Sequence, residues 1–148
     1  MAAVTPFRPQ SEPAAPQGGS VRLLLRLEGL AVAAVSAALY ARTSESWWLF
    51  AALWLAPDLS MLGYLSGRPC RGARVYNAIH TYVVPAALAL SALLVHADLL
   101  LAIALIWANH IGVDRLLGFG LKYADGFRWT HLGVMEKRGK PIPPIAVL

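Results

Sequence analysis

The segment Trp107-Ala108-Asn109-His110-Ile111-Gly112-Val113-Asp114-Arg115 ends a long apolar run with an amide, an imidazole, a carboxylate and a guanidinium. His110 and Asp114 are four residues apart, so a helix places them on one face, one turn from each other. Ionisable groups inside a membrane-spanning helix are costly and need partners. We therefore expect the rest of the chain to supply partners for this pair.

The composition of the 148-residue chain indicates a membrane protein with one domain. Hydrophobic residues make up 57% of the chain and charged residues 14%, against about 25% charged residues in soluble domains. The net charge of +5 comes from short basic patches between apolar runs, which is typical of membrane-protein loops and not of a nucleic-acid-binding face. The single cysteine, Cys70, excludes an internal disulfide and a multi-cysteine metal site.

Four apolar segments are each close to the ~20 residues that a helix needs to cross a bilayer. They cover about residues 23–41, 47–65, 75–95 and 99–117. One helix over residues 75–117 would be about 65 Å long, twice the hydrocarbon thickness, so His96-Ala97-Asp98 is predicted to form a hairpin. The sequence therefore predicts an all-α fold, a bundle of four transmembrane helices within residues 21–133 that ends in an interfacial segment. Residues 1–20 are predicted to be a disordered tail and residues 134–148 an irregular C-terminal tail.

The basic residues predict the orientation of the four spans. All but Arg42 of the 13 lysines and arginines lie around the start of the first span, between the second and third spans, or at and beyond the end of the last. With an even number of spans, the positive-inside rule places these regions and both termini in the cytoplasm. The expected location is the inner (plasma) membrane, with the lipid bilayer as partner and no nucleic acid.

Each predicted span carries an ionisable group at a similar depth from its cytoplasmic end. Glu28, Asp58, His80 and His110 lie about 8–11 Å below that surface at ~1.5 Å per residue. Asp114 lies about one turn nearer the cytoplasm. We therefore expect the four helices to share a polar pocket in the cytoplasmic half of the bundle.

Two prolines lie near this polar layer. Pro57 directly precedes Asp58, and Pro85 follows His80 within the same span. A proline inside a helix deprives the carbonyl four residues earlier of its hydrogen bond, and membranes tolerate such carbonyls where side chains or water satisfy them. The prolines therefore predict kinks around a cavity.

One interpretation of the polar layer is a metal site. His110 and Asp114 would chelate one ion, and His80 and Asp58 would complete the site from neighbouring helices. Imidazole and carboxylate ligands suit zinc, iron or manganese. Three protein ligands would leave a position for a water, with Glu28 as the candidate general base. This interpretation predicts metal-assisted hydrolysis of a lipid-like small molecule.

Two other interpretations remain open. The same carboxylates and imidazoles could form a proton or ion relay in a small proton-coupled carrier or a binding subunit. They could also form a buried structural network that performs no chemistry. Side chains expected to hold the site residues in place are Asn77, Asn109, Arg115 and His131. A homodimer is compatible with each interpretation, because four helices enclose little volume.

Several short motifs between about Leu23 and Gly133 carry a recognisable pattern. They are Ala56-Pro57-Asp58-Leu59-Ser60-Met61-Leu62-Gly63-Tyr64, Tyr76-Asn77-Ala78-Ile79-His80-Thr81-Tyr82, Asn109-His110-Ile111-Gly112-Val113-Asp114-Arg115, the segment from Gly118 to Tyr123, and Thr130-His131-Leu132-Gly133. In these motifs the chain resembles a family of small bacterial integral membrane proteins, catalogued as a domain of unknown function. The resemblance implies a four-helix fold in the bacterial inner membrane and no particular activity.

A weaker similarity is to the seven-helix membrane hydrolases that include the alkaline ceramidases and adiponectin receptors. Those proteins place a serine, histidines and an aspartate around zinc in the cytoplasmic half of a helical bundle. Residues 110–114 read His-x-x-x-Asp where those proteins carry His-x-x-x-His. The similarity implies a zinc hydrolase only by analogy.

Overall fold

The computed structural model of the chain describes residues 19–123, 129–130 and 133–134. Within these ranges the α-helices are α1 (Gly19–Tyr40), α2 (Trp47–Trp54), α3 (Pro69–Ile79), α4 (Val83–Val95) and α5 (Asp98–Leu117). A 3₁₀ helix, Ala56–Ser66, follows α2, and two short strands, β1 (Trp129–Thr130) and β2 (Gly133–Val134), follow α5. The two strands pair antiparallel.

Four helical segments are long and apolar enough to cross a membrane. They are Gly19–Tyr40, Trp47–Leu65, Cys70–Val95 and Asp98–Leu117. The prediction of a helical bundle with four membrane-compatible helices is therefore confirmed for the described residues. Because α2 and the 3₁₀ helix together form the second segment, and α3 and α4 the third, two of the four spans are not continuous α-helices.

The second span changes helix type near Pro57. α2 ends at Trp54, and Pro57 lies in the first turn of the 3₁₀ helix, where its missing N–H is not needed. A 3₁₀ helix rises ~2.0 Å per residue against ~1.5 Å in an α-helix, so its 11 residues extend about 22 Å instead of about 17 Å. Because its rise per residue is greater, the 3₁₀ helix lengthens this short span toward the thickness of a bilayer. The 3₁₀ helix begins two residues before Asp58.

The third span is interrupted between α3 and α4. His80 is the C-cap residue of α3, and α4 begins at Val83. Pro85 lies in the first turn of α4, among the N–H positions that have no intrahelical acceptor. Both prolines predicted to kink the spans thus lie at helix starts, and each break leaves a candidate site residue at a helix end.

α1 and α5 touch through glycine. A Cβ atom on Gly29 would lie 2.7 Å from the carbonyl oxygen of Gly112, and a Cβ atom on Gly112 would lie 2.8 Å from the carbonyl oxygen of Gly29. Neither position has room for a side chain, so the two backbones approach as closely as small residues allow in membrane helices. This contact fixes the helix face on which α5 carries His110 and Asp114.

Tyr40 fixes the opposite end of the bundle. Its side chain is fully buried, and its hydroxyl donates a hydrogen bond to the carbonyl of Ser46 at 2.7 Å. Its ring packs edge-on against Trp47 and Phe50. The turn between α1 and α2 is thereby held against the core.

Candidate metal centre

Four side chains from three of the spans converge in the described part of the bundle. Asp58 lies in the first turn of the 3₁₀ helix, His80 caps α3, and His110 and Asp114 lie one turn apart on α5. Each offers one ligand atom, and these four atoms all lie within 4.8 Å of one another. His80 and His110 are only 2% and 1% exposed. The structure therefore brings together the four residues predicted as metal ligands.

The distances within this cluster approach those of a tetrahedron. The two Nε2 atoms of His80 and His110 are 3.3 Å apart. Asp58 Oδ1 lies 3.5 Å from each Nε2 atom, and Asp114 Oδ2 lies 3.6 Å and 3.7 Å from them. A tetrahedron with edges of ~3.5 Å has its centre about 2.1 Å from each corner, which matches Zn–N and Zn–O distances. The two carboxylate oxygens lie at most 4.8 Å apart, and at that limit the distance from the centre to each corner would be about 2.4 Å, slightly longer than Zn–N and Zn–O bonds.

Hydrogen bonds within the cluster do not explain this arrangement. Nδ1 of His80 lies 3.0 Å from the carbonyl oxygen of Tyr76, which can only accept, so Nδ1 carries the proton of the neutral imidazole and Nε2 carries a lone pair. The short Nε2–Nε2 distance leaves room for one proton between the two histidines. With neutral imidazoles and ionised carboxylates, the four clustered side chains have among themselves at most one donor, a proton on His110 Nε2, and the Tyr76 hydroxyl donates to Asp114 from outside the cluster. Their 3.5–3.7 Å contacts also exceed the ~2.7–2.9 Å of a charge-assisted hydrogen bond.

Tyr76 contacts two of the four clustered residues. Its ring stacks on the His80 imidazole, with 3.8 Å between centroids and 12° between planes. Its hydroxyl donates to Asp114 Oδ2 at 3.4 Å. Tyr76 was not among the residues predicted for the site. Its position one turn before His80 on the same helix was the available signal.

Asn109 holds α5 in place behind His110. Its Oδ1 accepts a hydrogen bond from the Trp54 indole at 2.9 Å, and its Nδ2 donates to the carbonyl of Ala33 at 2.7 Å. The Trp54 ring also packs edge-on against the His110 imidazole. Asn109 therefore links α1, α2 and α5 at the level of the cluster.

Arg115 and Asn77 bind backbone groups around the cluster. Arg115 donates to the carbonyl of His80 at 3.2 Å. The Asn77 side chain pairs with the backbone of Lys122, donating at 2.8 Å and accepting at 2.7 Å, rather than with the imidazole of His80. These bonds hold Lys122 with its Nζ 4.9 Å from the centre of the Tyr76 ring. Burial there lowers the pKa of Lys122.

Glu28 does not belong to the cluster. Its side chain is exposed and borders a separate cavity of about 510 Å³, together with Tyr82 and Arg115. The cause is the rotation of the helix from one residue to the next. Because Gly29 faces α5, Glu28, the preceding residue, points about 100° away from α5 around the axis of α1. The shared polar layer expected from all four helices is thus formed by three. His131, the remaining predicted site residue, lies outside the described residues.

The two carboxylates of the cluster differ in their exposure to solvent. The side chain of Asp58 is 34% exposed and that of Asp114 is 15% exposed, whereas both histidines are buried. Asp58 also begins a 3₁₀ helix instead of lying inside an α-helix. The cluster is therefore most open on the side of Asp58.

Comparison with protein-family models matches residues 22–135 to the Domain of unknown function (DUF4260). The matched range contains all four clustered residues. Neither the curated proteins nor the solved structures give a match to the chain.

Proposed function

Because the chain belongs to the family described as Domain of unknown function (DUF4260), whose description names no activity, we propose its function from the geometry of the site. The protein is a membrane metalloprotein that holds one divalent ion between the four clustered side chains. The observation that carries this proposal is the set of four ligand atoms, two imidazole nitrogens and two carboxylate oxygens from three spans, that all lie within 4.8 Å of one another. A cation at the centre satisfies all four atoms at once.

The donor set favours zinc, iron or manganese. Two imidazoles exclude the all-oxygen environment that calcium and magnesium prefer, and two carboxylates exclude the sulfur-rich environment of copper(I) or iron–sulfur clusters. The tetrahedral spacing favours zinc among the three. The Nδ1–H bond from His80 to the Tyr76 carbonyl is the contact that orients a ligating histidine and fixes its tautomer.

The reaction class that the site supports best is hydrolysis. A bound ion of this type polarises a carbonyl and lowers the pKa of a coordinated water to near 7. His80, His110 and Asp114 are the three most buried ligands and would hold the ion. Asp58, on the open side, would complete the coordination while no substrate is bound, and during hydrolysis it would accept a proton from water as the general base. It is better placed for this than Glu28, which borders another cavity.

We also propose that both termini and the site lie on the cytoplasmic side of a bacterial inner membrane. The basic residues at one end of the bundle support this orientation. Arg26, near the start of α1, donates a hydrogen bond to the carbonyl of Leu117 at the end of α5. The basic region at the start of the first span therefore lies at the same end of the bundle as the basic region after the last span. A fusion reporter at each terminus, active only in the cytoplasm, tests the orientation.

Metal content tests the proposed function directly. Wild type, His80→Ala and His110→Ala are purified in detergent without chelators, incubated with zinc, and analysed by mass spectrometry of the metal. His96→Asn is the matched control, because His96 caps α4 in a left-handed conformation at a helix end and asparagine tolerates that conformation. We expect about one equivalent of metal in wild type and control, and loss of metal in both other variants.

Two results would contradict the proposal. One is metal-free wild-type protein after incubation with zinc. The other is metal retained equally when either clustered histidine is removed. Metal-free protein with a pH-dependent proton flux in liposomes, abolished in Asp58→Asn, would instead indicate a proton relay.

A further inference from the structure

An apolar cavity of about 480 Å³ is lined by residues of the same helices that carry the candidate metal centre. All its lining residues except Ser60 have mainly apolar side chains. The lining residues Pro57 and Leu59 flank Asp58 in the chain, and the lining residue Ile79 directly precedes His80. The cavity therefore lies beside the segments that carry Asp58 and His80, although none of the four clustered side chains lines it.

α5 forms the inner wall of this cavity. Ile106, which is 1% exposed, lies one turn before His110. Trp107 donates its indole N–H to the carbonyl of Ile79 at 2.9 Å. This bond satisfies the indole, so the Trp107 ring presents an apolar surface to the cavity.

The mouth of the cavity lies on the lipid-facing surface. Leu59 and Val75, two lining residues, are 66% and 45% exposed. Both belong to segments apolar and long enough to cross a membrane. The volume of the cavity falls within the range of about 300–1,000 Å³ that is typical of ligand pockets. In a membrane, hydrocarbon would be the medium in contact with this opening.

We propose that this cavity binds one hydrocarbon chain of a membrane lipid and presents the polar end of that lipid to Asp58 and the metal centre. The inference rests on the proposed function and deepens it. The substrate class is then an acyl lipid whose ester or amide carbonyl follows the bound chain.

The hydrolytic step is balanced by one water molecule. The oxygen of water forms a bond to the carbonyl carbon, and the bond from that carbon to the headgroup oxygen or nitrogen breaks. Asp58 accepts a proton from the attacking water and returns it to the leaving oxygen or nitrogen. The products are the free fatty acid, left in the cavity, and the alcohol or amine of the headgroup.

Photo-crosslinking tests the chain-binding cavity. The purified protein in detergent micelles is irradiated with a palmitic acid analogue that carries a diazirine in its chain, and the modified residues are mapped by peptide mass spectrometry. Ala56→Trp, an exposed position that lines the cavity, fills the site from its rim. Ala51→Trp, an exposed position on α2 that does not line the cavity, is the matched control.

We expect the crosslinks to fall on cavity residues and to drop several-fold in Ala56→Trp but not in Ala51→Trp. Excess palmitate should compete with the probe and excess butyrate should not, because a short acid cannot fill the cavity. Equal crosslinking in the two tryptophan variants, or crosslinks spread over all exposed helix faces, would overturn the inference. A dimer that dissociates only in Ala56→Trp would also overturn it, since a second copy would then cover the cavity.

Metal content, measured on the same preparations, separates the two proposals. Bound metal without crosslinks on cavity residues would support the metal centre and contradict the binding of a lipid chain. Crosslinks on cavity residues in metal-free protein would support the chain-binding cavity and contradict the proposed metal-dependent hydrolysis.

Discussion

The Nε2 atoms of His80 and His110 lie 3.3 Å apart although the two residues are 30 positions apart in the chain. The contact arises because α3 ends at Ile79 and leaves His80 as its cap, against α5. Since Nδ1 of His80 lies 3.0 Å from the Tyr76 carbonyl oxygen and can donate to it, a neutral His80 presents the lone pair of its Nε2 to His110. The two histidines are therefore suited to bind one cation together with the carboxylates of Asp58 and Asp114.

Zinc should stabilise the protein through this pair. We expect the melting temperature of wild type to rise with added zinc and that of His110→Ala to stay constant. At a free zinc concentration of about 100 times Kd, the stabilisation should reach about 2.7 kcal/mol, because the ion binds only the folded state. Thermal unfolding in detergent, followed by intrinsic tryptophan fluorescence, measures the shift. The same shift in both proteins would place zinc binding elsewhere.

Tyr76→Phe should weaken metal binding without unfolding the protein. The phenylalanine ring preserves the stack on His80, whereas the contact of the hydroxyl with Asp114 is lost. Because groups that support metal ligands typically change affinity by about 10–100-fold, and this contact is long, we expect a loss near tenfold. Competition with a zinc-binding dye measures it. Tyr123→Phe, at an exposed position, is the control, and equal affinities in the two variants would contradict the role of Tyr76.

Gly112→Ala should destabilise the bundle. The new methyl group would meet the Gly29 carbonyl oxygen and the Ala33 amide nitrogen, both at 2.8 Å, so α1 must move away from α5. Overpacking of this kind costs about 1–3 kcal/mol. Gly19→Ala is the matched control, because a Cβ atom there meets nothing within 4 Å. Thermal unfolding should separate the two variants, and a Gly112→Ala protein as stable as Gly19→Ala would show that the helices are not in backbone contact.

Asn109→Leu should also lower stability. The substitution leaves the indole N–H of Trp54 without its acceptor and removes the bond to the Ala33 carbonyl. Side-chain hydrogen bonds in membrane bundles contribute about 0.6 kcal/mol on average and buried unpaired donors cost more, so we expect a loss of about 1–2 kcal/mol. Ser91→Ala, which removes one exposed side-chain bond within α4, should change stability less. The reverse order in thermal unfolding would contradict the linking role of Asn109.

Lys122 should make stability depend on alkaline pH. Burial lowers its pKa in the folded protein, so the unfolded chain binds more protons at this position and the free energy of unfolding rises with pH. The penalty is complete below the folded pKa and disappears as pH approaches about 10.4, the ordinary value for lysine. We expect wild type to gain stability relative to Lys122→Met between about pH 8 and that value. Parallel pH profiles of unfolding for the two proteins would show that Lys122 is solvated.

The spans could be predicted from the sequence because membrane crossing depends on the length and hydropathy of a continuous segment. The four predicted segments correspond to the four membrane-compatible helices of the structure. Residue types that are costly in a membrane also marked the candidate site, since an aspartate or a histidine within an apolar span is rare without a partner. Residue counting along each helix predicted similar depths for these groups.

Only the tertiary structure decided which of these groups meet. Residue counting gives the depth of a side chain but not the direction in which it points once helices have packed. Gly29 faces α5, so its neighbour Glu28 turns away from the cluster, although residue counting predicts a similar depth for it. The break between α3 and α4 decided that His80 faces α5 and that Tyr76 stacks beneath it. Such directions depend on contacts between distant segments, which hydropathy and charge along the chain do not encode.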